Sequence, residues 1–222
     1  MLLAARLRTG PSRRRGCTAL CASRDLERWQ VREPFWSPGL YYVHECPDLF
    51  AMGGWWYLVF SEFSERGVTR YRMSRSLSGP WLTPANDTFD GRAFYAAKTA
   101  SDGDRRFIFG WNATRKEEKD YQRWQWGGNL VVHELVQLPD GTLSARIPGS
   151  VDRSFGHRKR AHFQPGLGHC RTLPGGVEIT VPESFGCAGS DMMPRQCKLE
   201  AAIVFAEGTE ACGITLRASE DL

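Results

Sequence analysis

Gly16–Trp29 reads GCTALCASRDLERW, and Gly67–Trp81 reads GVTRYRMSRSLSGPW. Counted from the glycine, Thr, Ser, Arg and Leu fall at the same offsets in both, and a Trp closes each stretch within one residue of the same place. The two glycines are 51 residues apart. An apolar stretch precedes each copy, Leu2–Leu7 (LLAARL) and Trp56–Phe63 (WYLVFSEF), and a third of the same kind, Phe107–Trp111, comes about 50 residues later again. A period of that length with short strands inside it is the signature of a β-propeller blade of roughly four strands. Two unrelated hairpins could share a few residues, but four matches at fixed offsets with similar flanks favour a repeat, and a propeller over a sandwich. Each unit is expected as strand, turn, strand with outward Ser and Arg, then a strand closed by Trp.

Outward from the repeat, the ordered-looking segments are short and rich in β-branched and aromatic residues: Trp55–Phe60, Val68–Met73, Arg106–Trp111 and Asn129–Leu135. Turn chemistry separates them at Leu77–Pro80, Pro84–Asp87, Ser101–Asp104 and Pro139–Gly141. No long stretch has a helical period, so the chain reads as all-β. Composition shifts near residue 150. Residues 153–165 are polar and basic and read as a linker between blades in residues 1–152 and a second β unit in 166–222. Strands are expected in that unit at Gly175–Val181, Lys198–Phe205 and Gly213–Arg217. About 55 residues are too few for a whole sandwich, so the chain reads as ending inside a domain.

The 222 residues are 41% hydrophobic and 24% charged, an ordinary composition for a globular protein that excludes a disordered chain. The net charge of +4 owes much to Arg6, Arg8, Arg13, Arg14 and Arg15, which read as a solvated surface loop rather than a nucleic-acid site. No run of 18 apolar residues suggests a membrane span, and Met1–Ala5 is too short for a signal-peptide core, which points to a cytoplasmic protein. The seven cysteines are irregularly spaced and read as mostly reduced thiols, with a disulfide among Cys170, Cys187, Cys197 and Cys212 the weaker alternative. No second pair joins Cys17 and Cys21 at zinc-ligand spacing, and His169-Cys170 has no partner at such spacing either, so neither metal nor cofactor is expected.

The chemistry concentrates in Val43–Phe50 (VHECPDLF). Glu45 and Asp48 flank a Cys-Pro pair, and Pro47 is expected to hold Cys46 extended. Tyr41, Tyr42, Val43, Leu49 and Phe50 supply apolar surroundings. Such surroundings disfavour the charged form of a carboxyl group, which suits a general acid that protonates a leaving oxygen. The plainer reading makes both carboxylates backbone caps at a strand end.

His44–Phe50 resembles the Trp-Glu-Cys-Pro-Asp-Leu-Phe segment of glycoside hydrolase family 32, the invertase, inulinase and levanase family. Further resemblances follow in order. Ser23–Leu26 with Trp29 is similar to the family's Ser-x-Asp-Leu-x-x-Trp strand, and Phe89–Thr99 to its Asp-x-Gly-x-x-Phe-Tyr-Ala segment. Arg105–Trp111 is similar to its Arg-Arg-hydrophobic-x-x-Gly-Trp strand, and Asn129–Leu143 to the strand that ends its propeller, with His133 where the family usually has Arg. The likeness is good over residues 1–155 and weaker beyond.

The resemblance implies a partial five-bladed β-propeller followed by the start of a C-terminal β-sandwich. It implies release of fructose from sucrose, inulin or levan by a retaining mechanism, with Glu45 as general acid/base. The family's nucleophile and stabilising Asp lie in Asn-Asp-Pro and Arg-Asp-Pro segments, and neither string occurs here. The chain therefore reads as beginning just past the stabiliser. Asp48, Asp90, Tyr95 and Trp111 are the candidate substrate-binding residues. Asp90 could hydrogen-bond fructose hydroxyls or belong to a simple Asp-Gly turn, and Trp111 could stack on sugar or fill core. Lys98, Trp124 and Trp126 are further candidates, the two tryptophans more readily as rim packing. Fructosyl transfer and a non-catalytic carbohydrate-binding role remain alternatives.

Overall fold

Trp55–Glu62 (WWYLVFSE) is a strand whose last six residues are all buried. Side chains alternate across a strand, so an unbroken apolar run needs cover on both faces. Tyr57 and Val59 point into one core with Tyr71, Phe94, Ile108 and Leu135, and Leu58 and Phe60 point into another with Tyr41, Leu2, Phe35 and Trp36. This strand therefore belongs to a central sheet with a sheet on either side.

The computed structural model describes residues 1–119, 121–194 and 196–216, which form two compact units, 1–149 and 150–222. In the first unit, strands β1 (Leu2–Arg6), β2 (Gly16–Ala22) and β3 (Gln30–Val31) make an antiparallel sheet in that order. Strands β4 (Glu45–Met52), β5 (Trp55–Glu62) and β6 (Val68–Ser74) make the central one. Strands β7 (Phe94–Ser101), β8 (Arg106–Arg115), β9 (Trp124–Gln137) and β10 (Leu143–Arg146) make a four-stranded meander. The 51-residue repeat is visible in this order, because β1 and β2 stand to the first sheet as β5 and β6 stand to the second. The three sheets do not close into a ring.

Two expectations change here. Ser74 is fully buried where an outward Ser is expected, although Arg75 next to it is exposed as expected, and Arg70 and Arg72 earlier on β6 are buried too, at 7% and 2% exposed. Burial is tolerable because the charges are paired. Arg70 donates to Asp87 Oδ1 at 2.8 Å and to Glu62 Oε1 at 3.1 Å, and Arg72 donates to Asp87 Oδ2 at 2.6 Å and to the Tyr41 hydroxyl at 2.9 Å. Trp29 closes a turn, not a strand. Its indole N–H donates to the Leu26 carbonyl at 3.0 Å, after Ser23 and Asp25 have taken the backbone N–H groups of Leu26, Glu27 and Arg28.

Among its described residues the second unit holds two small antiparallel pairs. Strand β11 (Phe163–Pro165) pairs with β14 (Ala188–Ser190), and β12 (His169–Leu173) pairs with β13 (Gly176–Thr180). The strand expected at Gly175–Val181 is β13, but Lys198–Phe205 and 213–216 form no strand, and Arg217 lies outside the described residues. Val204 is 95% exposed and Phe205 64%, so among the described residues this segment has no face to bury. A short helix, α1 (Gly149–Asp152), precedes these pairs. All seven cysteines are unpaired. Among the described residues no helix is long and apolar enough to cross a membrane.

Candidate active site

Strands β4 and β7 begin with the same irregularity. In β4 the pairing shifts between Glu45 and Asp48, so Cys46 and Pro47 stand opposite one residue of β5. In β7 it shifts between Tyr95 and Lys98, so Ala96 and Ala97 stand opposite one residue of β8. The first extra residue is left-handed in both, with φ of 50° at Cys46 and 52° at Ala96. The extended Cys46 expected from Pro47 is thus overturned. Proline has no N–H for a ladder, and a bulge is where a strand accommodates it. The bulge also turns the side chains at its start out of the regular alternation.

The two bulged strands are clasped together. The Tyr95 hydroxyl donates to Glu45 Oε2 at 2.5 Å, Lys98 Nζ to the Pro47 carbonyl at 2.7 Å, and the Thr99 N–H to Asp48 Oδ2 at 2.7 Å. Glu45 is half-buried, and among the described residues its Oε1 takes no hydrogen bond. Burial, then the bond to Glu45, pushes the Tyr95 phenol far above its ordinary value, so Tyr95 keeps its proton and acts as donor. Burial also raises the Cys46 thiol, against the lowering effect of Lys98.

Aromatic rings extend from this pair. Tyr95, Trp111 and Trp126 meet edge to face, with centroids 5.7, 6.0 and 6.1 Å apart. Trp126 is 78% exposed, so the group opens to solvent at one side. Trp124 instead lies under the Arg115 guanidinium, 3.9 Å from its ring centre. Asp90 is not brought to Glu45. Its Oδ2 is 3.0 Å from His133 Nε2, and its Oδ1 accepts the Gly91 N–H at 2.6 Å. The bond from His133 holds the Asp90 carboxyl below its usual range.

Behind Glu45, His44 is fully buried among Trp36, Tyr41 and Phe60. Its Nε2 lies 3.2 Å from the Leu40 carbonyl, which only accepts, so Nε2 carries the proton and Nδ1 faces the Thr18 hydroxyl at 3.4 Å. Burial, with Arg72 nearby, lowers its pKa to about 4. A neutral imidazole thus ties β2 and the 40s loop to the residue next to Glu45. Sequence reasoning did not single out His44 or the Thr18 bond. The clue available was a polar ring in an otherwise apolar run. Among the described residues no group of three or more His, Cys, Asp or Glu side chains is placed to hold a metal ion.

Residues 5–145 match the model of the glycosyl hydrolases family 32 N-terminal domain. A sucrose-6-phosphate hydrolase of Vibrio alginolyticus is 28% identical over 146 residues, covering 58% of this chain and 30% of that relative. A family 32 glycoside hydrolase from Bifidobacterium adolescentis superposes with a TM-score of 0.50 at 23% identity, over 68% of this chain and 28% of that one. A family 32 β-fructofuranosidase from Bombyx mori does so with a TM-score of 0.50 at 21% identity, over 67% and 35%. These neighbours are β-propellers, and the three successive sheets share their fold. The chain spans about a third of the length of these relatives. With the family model matching well over half of its residues, the chain belongs to glycosyl hydrolase family 32.

Proposed function

We propose that this chain forms the acid/base side of a site that hydrolyses β-fructosides such as sucrose. The observation that carries the reading is the Tyr95–Glu45 bond beside an open ring platform. Glu45 Oε2 is fixed by Tyr95, and Oε1 is left to protonate the leaving oxygen and later to take a proton from water. Trp111 and Trp126 offer flat faces to sugar C–H groups. Asp48 and Asp90 act in this reading through the framework, Asp48 by clasping β7 and Asp90 by bracing β9.

A retaining mechanism needs a second carboxylate about 5 Å from the first, forming a fructosyl intermediate that water then hydrolyses. No residue of the described chain is assigned that role, and the Asn-Asp-Pro and Arg-Asp-Pro strings do not occur in the 222 residues. A second reading is carbohydrate binding without hydrolysis, carried by the solvent-open Trp111–Trp126 rings. Free fructose released from sucrose, inulin and levan, measured beside Glu45→Gln, separates the two. Release abolished by Glu45→Gln supports hydrolysis. Sugar binding by calorimetry with no fructose released supports the second reading. Fructose release that survives Glu45→Gln removes Glu45 from the mechanism.

A further inference from the structure

In the second unit, two half-buried cysteines meet from segments that are not paired with each other. Cys170 lies on β12 opposite Ile179 of β13, so both side chains share one face of that hairpin. Gly186 and Cys187, which lead into β14, cross the same face. A Cβ on Gly186 would meet methyl carbons of Val181 and Ile179 at 2.5 and 2.8 Å. A Cβ on Gly166 would meet the Cys187 carbonyl oxygen at 2.6 Å and its Sγ at 3.0 Å. Glycine at both places lets the chain run this close.

The two thiols border one carbonyl. The Cys170 thiol donates to the Cys187 carbonyl at 3.5 Å and lies 3.7 Å from the Leu167 carbonyl, which also accepts the Cys187 N–H at 3.0 Å. The contacts of Gly166 put the Cys187 Sγ and carbonyl oxygen on the same side of that residue. Rotation about the Cα–Cβ bonds, between staggered wells, then carries sulfur toward sulfur. Cys197 and Cys212, the other cysteines of this unit, are exposed.

We propose that Cys170 and Cys187 are a redox pair that a low-molecular-weight disulfide such as oxidised glutathione converts to a protein disulfide, fastening the entry of β14 to the β12–β13 hairpin. One protein thiolate attacks the external disulfide, giving a mixed disulfide and releasing one external thiolate. The second protein thiolate attacks the protein-side sulfur of the mixed disulfide and displaces the other external thiolate. Two protein thiols are oxidised, one external disulfide is reduced to two thiols, and the two S–H protons pass to the leaving thiolates. The bond closes a loop of 17 residues and restricts the unfolded chain, so the oxidised unit holds its strand pairs more firmly than the reduced one.

Peptide mapping tests this on the whole chain. The folded chain is incubated with oxidised glutathione, its remaining thiols are blocked with iodoacetamide, and it is digested with trypsin. Cleavage after Arg160, Arg171, Arg195 and Lys198 puts Cys170, Cys187, Cys197 and Cys212 in four separate peptides. Mass spectrometry should find peptide 161–171 joined to 172–195 as the dominant link, and Cys170→Ser should lose it. In concentrated urea the shorter loop is favoured, and Cys187 should pair instead with Cys197, ten residues away. A dominant link from Cys187 to Cys197, or from Cys197 to Cys212, in the folded chain overturns the proposal. So do Cys170 and Cys187 recovered blocked or glutathionylated with no bond between them. A Cys170–Cys187 link that dominates equally in urea overturns it as well, because the fold then plays no part in the pairing.

Discussion

The Tyr95 hydroxyl reaches Glu45 Oε2 at 2.5 Å across 50 residues of sequence and from one sheet to the next. Because Tyr95 is buried and its proton tightly held, the bond is a fixed donor to the carboxyl group. A hydrogen bond to a charged group is worth about 1.5–3 kcal/mol. In a preparation that releases fructose, Tyr95→Phe should lower kcat about 10- to 100-fold with little change in KM. Glu45→Gln should lower it further, by about 10²–10⁴-fold. Steady-state rates on sucrose check both, and equal losses in the two variants would contradict the positioning role of Tyr95.

Asp87 bridges two buried guanidinium groups, Arg70 and Arg72. Asp87→Asn takes the carboxylate partner from Arg72 and leaves Arg70 with Glu62 alone, in the core between the first two sheets. Removing one partner of a buried ion pair costs about 3–5 kcal/mol. The urea midpoint should fall accordingly with an unchanged slope. A loss below about 1 kcal/mol would show that water reaches the pair.

His44 carries a pH signature. Its pKa is about 4 in the fold, against 6.5 for an ordinary imidazole. Between these values the unfolded chain binds a proton that the folded chain does not. Stability is therefore full above pH 6.5 and falls as the pH drops toward 4, by an amount on the order of 3 kcal/mol. Tyr41 packs edge-on against the ring, and the charge of the nearby Arg72 opposes protonation. Denaturation curves from pH 7 to pH 4 should show this slope, and His44→Phe should lack that component.

Gly128 sits on β9 opposite Ala113, and a Cβ there would overlap the Asn112 backbone oxygen. Backbone on the facing strand cannot swing aside as a side chain would. Gly128→Ala should destabilise the chain by about 1–3 kcal/mol and loosen the β8–β9 hairpin that carries Trp111 and Trp126. Melting temperature reads the first effect, and hydrogen exchange of the hairpin amides reads the second.

The all-β class, the 51-residue repeat and family membership were legible in the residues, because strand periodicity, turn chemistry and the segment around Glu45 are local or linear patterns. The strands at 55–62, 68–74 and 106–115 stood out for the same reason. What only the tertiary structure decided depends on partners far apart in the chain. A proline's local preference made Cys46 extended, yet the pairing of β4 with β5 made it left-handed in a bulge. Arg70 and Arg72 are buried on β6 because Glu62, Asp87 and Tyr41, from other parts of the chain, converge on them. Lys198–Phe205 has a strand's composition but pairs with no strand among the described residues. Composition states what a segment can pair with, and whether a partner arrives within hydrogen-bond reach is set by the packing of sheets, which no local stretch encodes.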